Sequence, residues 1–160
     1  MSDVAKNRGR AFDSATQEAY LNLWRTYDRL RGYEDELFSK YDLTAQQYNA
    51  LRLLRAVSPD TLPTLTLAAR LISRAPDITR LLDHLVKRDL ILRERKPENR
   101  RVVRVGITTA GVALLEQIHT EVRAVNDRQL GHLPPEKLGQ LVELLKLARE
   151  PHEPSDSTWR

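Results

Sequence analysis

Thr79, Arg80, His84, Lys87 and Arg88 fall in one ten-residue stretch, Arg74 stands just before it, and Lys96, Arg100 and Arg101 follow closely. The planar guanidinium of Arg80 can pair two-fold with the O6 and N7 edge of guanine, and Thr79 can meet a thymine methyl or a phosphate. Lys87 and Arg88 suit phosphates or the carbonyls at their own helix end. Lys96, Arg100 and Arg101, if carried on a projecting tip, suit a narrow minor groove whose negative potential is enhanced.

Charge is concentrated in the same place. From Arg70 to Arg104 eleven basic residues face five acidic ones, a local +6 in a chain of net charge +4, so the remainder is −2. A charge run on a helix is commonly a solvated face, so the positioning elements decide what this one means.

Those elements can be traced by periodicity. Tyr20, Leu23, Trp24, Tyr27, Leu30, Leu37 and Phe38 mark one face of a long first helix from Asp13 to about Lys40. Thr44 followed by Gln47 is a capping-box pattern. It opens a second helix with a stripe of Tyr48, Leu51, Leu54 and Val57, ended by Ser58-Pro59-Asp60. A short helix from about Thr64 to Leu71 comes next. Pro76, tolerated in a first helical turn, starts a fourth helix to about Asp89, with Ile78, Leu81, Leu82, Leu85 and Leu90 inward and Arg74, Asp77, Thr79, Arg80, Asp83, His84, Lys87 and Arg88 on or near the outside. Ile91 to Arg95 and Arg101 to Ile107 alternate as strands around the turn residues Lys96 to Arg100. A fifth helix, capped by Thr108 or Thr109, carries Val112, Leu115, Ile118, Val122 and Val125. A sixth begins at Pro134-Pro135 and carries Leu138, Leu141, Leu144, Leu145 and Ala148.

The fold expected is mainly α with a small β-hairpin wing: a winged helix-turn-helix plus N- and C-terminal dimerisation helices. Its second helix-turn-helix member reads the major groove, about 12 Å wide, while the preceding helix braces the backbone. Residues 13–40 are the first dimerisation helix, 43–108 the DNA-binding lobe and 109–149 further dimerisation helices, with 1–10 and 151–160 as flexible tails.

Other chemistries find little support. The absence of cysteine excludes disulfides, thiolate metal sites and thiol redox sensing. His84, His119, His132 and His152 are scattered, with no pair spaced to put two imidazoles on one helical face. Six glycines stand singly, and neither a phosphate loop nor a nucleophile elbow is present. No enzyme activity, cofactor or metal is expected. Neither a membrane span nor a signal peptide is seen, and the expected location is the cytoplasm, associated with the nucleoid.

The stretch Leu65 to Thr109 resembles the MarR family of bacterial regulators, through Ile78-Thr79-Arg80-Leu81-Leu82-Asp83, Lys87-Arg88, and Pro97-Glu98-Asn99-Arg100-Arg101 leading into Ile107-Thr108. With the Leu43-Thr44-Ala45-Gln46-Gln47-Tyr48 opening and the outer helices, the likeness covers about Asp13 to Arg149. The resemblance implies a winged-helix homodimer, usually a repressor, that binds double-stranded DNA at a palindromic operator and is often released by a small aromatic or anionic effector. Three positions depart from the family pattern: Asn99 replaces the Asp before the wing arginines, Asp89 stands where Gly commonly ends the reader helix, and His84 replaces an Arg.

The outer helices carry more apolar surface than a small winged-helix lobe can cover, which suits mutual burial between two copies; closure over a monomeric core is the alternative. Trp24, Tyr27, Tyr48 and His84 are candidate lining for an effector pocket between the dimerisation helices and the lobe, with core packing as the other reading. Rival functions are a helical protein-interaction adaptor and a non-specific architectural DNA binder.

Overall fold

Ser14 begins the ordered helical path: its hydroxyl accepts the Gln17 N–H at 3.1 Å and caps α1 (Ala15–Ser39). The computed structural model describes residues 12–159, so the expected N-terminal tail, residues 1–10, lies outside the described residues. At Thr44 the capping box forms in full, with Gln47 N–H donating to Thr44 Oγ1 at 3.1 Å and Thr44 N–H to Gln47 Oε1 at 2.9 Å. It opens α2 (Ala45–Val57), followed by β1 (Leu62–Pro63) and α3 (Thr64–Arg70). Next come α4 (Ile78–Lys87), β2 (Ile91–Lys96), β3 (Asn99–Ile107), α5 (Thr109–Leu130) and α6 (Pro135–Arg149).

The core lies where the lobe's helices meet the sheet. Leu51 and Leu54 of α2, Leu67 of α3, Leu82 and Leu85 of α4, Val105 of β3 and Ile118 of α5 are each 0% exposed. The outer helices differ: α1 buries only Leu37 and Phe38 near its end, and α6 buries none of its residues. No helix among the described residues is long and apolar enough to cross a membrane.

Within the lobe the structure departs from the sequence expectations at four places. Pro76 lies outside the reader helix, because Asp77 is its N-cap and accepts the Arg80 N–H at 2.9 Å. Arg74 accordingly belongs to the loop between α3 and α4 rather than to the helix face. The hairpin strands run further than expected: Lys96 pairs with Asn99 across a two-residue Pro97-Glu98 turn, which puts Arg100 inside β3. β1 adds a third, unforeseen strand, giving the antiparallel order β1-β3-β2 with Leu62 opposite Val105. Arg104 secures it by donating to Thr61 Oγ1 at 2.9 Å and to the Thr61 carbonyl, while Thr61 Oγ1 donates to Glu94 at 2.7 Å.

Beyond α6 the expected flexible tail instead forms a 3-10 turn, Glu150–His152, and folds back. Arg149 explains it, with its guanidinium 5.6 Å from the Trp159 ring centroid and its Nη2 donating to the Trp159 carbonyl at 3.0 Å.

Two helices end by the same device. At the end of α1 the Leu43 N–H returns to the Phe38 carbonyl at 3.0 Å, with Asp42 at φ 51°. At the end of α4 the Leu90 N–H returns to the Leu85 carbonyl at 3.0 Å, with Asp89 at φ 56°. This six-to-one closure needs a left-handed residue, which Asp adopts at modest cost. Thr108 then donates to the Asp89 carbonyl at 2.6 Å and accepts the Gly111 N–H at 3.0 Å, joining the start of α5 to the exit of α4. Gly111 is required there, since a Cβ would stand 2.3 Å from the Leu90 carbonyl oxygen.

Candidate nucleic-acid interface

The reader α4 is amphipathic enough to be held by one face. Leu82 and Leu85 are buried, Ile78 and Leu81 half-buried, and Thr79, Arg80 and Lys87 exposed. The Arg80 side chain makes no hydrogen bond or ion pair with any described residue, because its two acidic neighbours are otherwise engaged. Asp77 caps the helix, and Asp83 pairs with Arg93 of β2 at 2.7 Å. That pair ties reader to wing, and Arg93 Nη2 also reaches the Thr79 carbonyl at 3.4 Å.

Between α3, α4 and the wing lies an open cleft of about 1040 Å³ lined by Leu65, Thr66, Thr79, Arg93, Arg95 and Arg101, among others. Arg93, Arg95 and Arg101 turn to the cleft while Arg100 does not line it, and Arg95 donates to the Arg100 carbonyl at 2.6 Å. Lys96, Arg100 and Arg101 are all exposed, as is Arg74 in its loop. A concave face carrying Arg93, Arg95 and Arg101, with Thr79 of the first turn of α4 in its lining, can hold a phosphate backbone beside the exposed Arg80.

His84 and Arg88 are placed differently from the other candidates. Both point to the turn after α1, where Arg88 Nη1 donates to the Asp42 carbonyl at 2.6 Å and His84 Nε2 lies 3.1 Å from the same oxygen. The sequence could not show this, because the partners are 42 and 46 residues apart. It also passed over Arg93, Arg95, Thr66 and Leu65, of which Leu65 is 82% exposed on the cleft wall. The opposite charges of Asp83 and Arg93 were the available signal.

The candidate effector residues are only partly brought together. Tyr27 and Tyr48 line a cleft of about 660 Å³ between α1, α2 and the end of α3, together with Arg31, Glu34 and Arg52. A smaller cavity of about 310 Å³ shares Glu34, Phe38, Tyr48 and Arg52 and is closed by His119 and Arg123 of α5. Trp24 and His84 line neither. Tyr48 stacks on Phe38 with centroids 4.5 Å apart, half of the wall between the two spaces. Burial, with the neighbouring Asp35 charge, raises the Glu34 carboxyl above its usual value against the pull of a Gln129 hydrogen bond, and burial raises the Tyr48 phenol.

Comparison with known proteins bears on this geometry directly. The MarR family model matches residues 43–103, from the start of the capped α2 into the returning wing strand. The crystal structure of a MarR transcription factor from Planctomyces limnophilus is similar at 57% identity and a TM-score of 0.68, over 85% of this chain and 98% of that one. Multiple antibiotic resistance protein MarR of Escherichia coli (strain K12) is 31% identical over 113 residues, 70% of this chain and 77% of the relative. The crystal structure of a mutant MarR from E. coli complexed with operator DNA is similar at 27% identity and a TM-score of 0.71, over 79% of this chain and 89% of that one. With its reader, wing and outer helices in the same order and a 57% identical relative covered almost end to end, this chain belongs to the MarR family of winged-helix transcriptional regulators.

Proposed function

We propose that the protein represses transcription as a homodimer on a palindromic operator in the cytoplasm, and that a small aromatic or anionic effector releases it. The observation that carries the DNA reading is Arg80, exposed and unpaired among the described residues in the first turn of a helix braced to its wing. Thr79 joins it in base readout. Arg74, Lys87, Lys96, Arg100 and Arg101 supply phosphate or minor-groove contacts.

Dimerisation is supported by unpartnered apolar surface. Tyr20, Leu23, Trp24 and Tyr27 on α1 are 48–62% exposed, and Val142, Leu144 and Leu147 on α6 are 48–64% exposed. A second copy is the economical cover, and a two-fold pair matches a palindrome. The cleft beside Tyr27 and Tyr48 supports the effector, since its aromatic walls and the Arg52 cation suit a flat anion.

Selection of bound sites from random duplex tests the reading, followed by a salt titration on the winning site. If about six to ten phosphates are neutralised, affinity falls on the order of a thousandfold between 50 and 200 mM salt. A flat salt profile with no enriched sequence would point to a protein-binding adaptor. Steep salt dependence without enrichment would point to an architectural binder.

A further inference from the structure

The turn joining α1 to α2 is held from two sides. On one, Tyr41 donates to Glu121 of α5, and Lys40 Nζ lies 3.9 Å from the same carboxylate. On the other, the Asp42 carbonyl takes Arg88 Nη1 at 2.6 Å and His84 Nε2 at 3.1 Å. A carbonyl oxygen only accepts, so Nε2 carries the proton in this arrangement. The Asp42 carboxylate adds a second approach to His84 at 3.5 Å. His84 and Arg88 stand one helical turn apart on α4, so a single acceptor engages one face of the reader's exit.

Asp42 also holds φ 51°. A non-glycine residue in that region persists where its surroundings over-determine it. Glycine would relieve the strain but would lose the carboxylate beside His84. The position therefore favours a residue that both tolerates the left-handed turn and reaches the reader.

We infer that Asp42, His84 and Arg88 form a clamp that fixes the exit of the reader helix on the end of α1, so that His84 and Arg88 govern DNA binding by positioning the reader rather than by touching DNA. The inference rests on the DNA-binding reading above. It also gives α1 a direct mechanical line to α4: the helix that lines the Tyr27 cleft runs into the turn whose Asp42 holds the reader. Lys87 provides the internal contrast. It is exposed on the same turn, makes no bond to a described residue, and is left to act on phosphate.

The test compares Arg88→Ala, Arg88→Lys, His84→Ala and Lys87→Ala in two measurements. One is duplex affinity across a salt series. The other is amide hydrogen exchange at Arg88, Asp89 and Leu90 in the free protein. A clamp predicts that Arg88→Ala weakens binding about tenfold or more, with a salt line parallel to wild type and faster exchange at the reader's exit. His84→Ala should show the same pattern more weakly, and Arg88→Lys should recover much of the loss. Lys87→Ala should leave exchange unchanged and make the salt slope shallower, by about 0.9 for each phosphate that is no longer neutralised.

A shallower slope for Arg88→Ala with unaltered exchange would make Arg88 a phosphate ligand and overturn the clamp. Unaltered affinity and exchange would overturn it as well. If Arg88→Ala does not fold, His84→Ala and Arg88→Lys decide by the same two readouts. If wild-type protein binds no duplex at all, the DNA reading falls, while exchange in the free protein still decides whether the clamp holds the helix.

Discussion

The reader α4 and the last helix α6 are both leucine-striped, yet they meet opposite fates. In α4 Leu82 and Leu85 are 0% exposed, whereas in α6 Leu144 and Leu147 are each 64% exposed. A similar pattern is buried inside the chain in one case and left exposed in the other. The core that stabilises the reading surface is built within the chain, with Leu37 and Phe38 of α1 and Leu115 and Ile118 of α5 contributing to it. The outer helices hold an exposed apolar stripe, whose burial in the proposed dimer would depend on protein concentration.

Truncating core and stripe leucines puts this contrast to the test. Leu82→Ala should cost about 2–5 kcal/mol in urea unfolding at fixed protein concentration, as the forfeited transfer energy and the residual cavity add. The paired change Leu144→Ala with Leu147→Ala should barely affect lobe stability. It should instead weaken self-association by roughly 1.5–3 kcal/mol for each leucine that a partner fully buries, read by sedimentation equilibrium. Unchanged association would mean that a second copy does not cover this stripe.

Within the lobe the contrast continues between reader and wing. Arg80→Ala should cost roughly 1–3 kcal/mol per half-site and relax preference at one position of each, measured against single-base operator variants. Arg101→Ala should weaken all sequences more evenly and flatten the salt slope. An unchanged base preference for Arg80→Ala, with folding intact, would move the reading role to Thr79 and Arg74.

The smallest effect belongs to Glu34, on the outer-helix side. Its folded pKa is raised by burial, so its carboxyl favours the folded state fully below the unfolded carboxylate value and loses that benefit as pH rises through the folded one. Glu34→Gln should therefore raise thermal stability at pH 7, by less than about 1 kcal/mol because the group keeps part of its solvation, and merge with wild type at acid pH. A gain that persists in acid would assign the effect to packing instead.

Much of the lobe was legible because its signals are local. Thr44 and Gln47 announce their capping box in sequence, and Ile78, Leu82 and Leu85 announce an inward stripe. The reader's start was misplaced because Pro76 suits either a first turn or the residue before a cap, and only the Asp77 side chain accepting the Arg80 N–H distinguishes them. β1 was invisible because two residues carry no period, and its register is supplied by Val105 and Arg104 some forty residues on. The fates of His84 and Arg88 lay beyond sequence reasoning for a similar reason: helical spacing identifies an outer face without saying what another element brings against it. Trp24, 61% exposed, packs into no core within the chain and stays on the outer face of α1 that the helical period marks.

The close approach at Gly111 has a consequence for operator length. Because a single methyl there would run into the Leu90 carbonyl oxygen, the first turn of α5 rests on the reader's exit with no room for play, and the Thr108 bond to Asp89 closes the joint. Reader and long helix thus meet at a close-packed elbow. In a symmetric pair joined through α1 and α6, that joint would carry the geometry of the outer helices to the two reader tips, as the hinge of a pair of calipers sets its gap. The number of base pairs between half-sites would then be gauged by a close steric fit that never touches a base, and loosening that elbow would blur the measured length before it blurred the sequence.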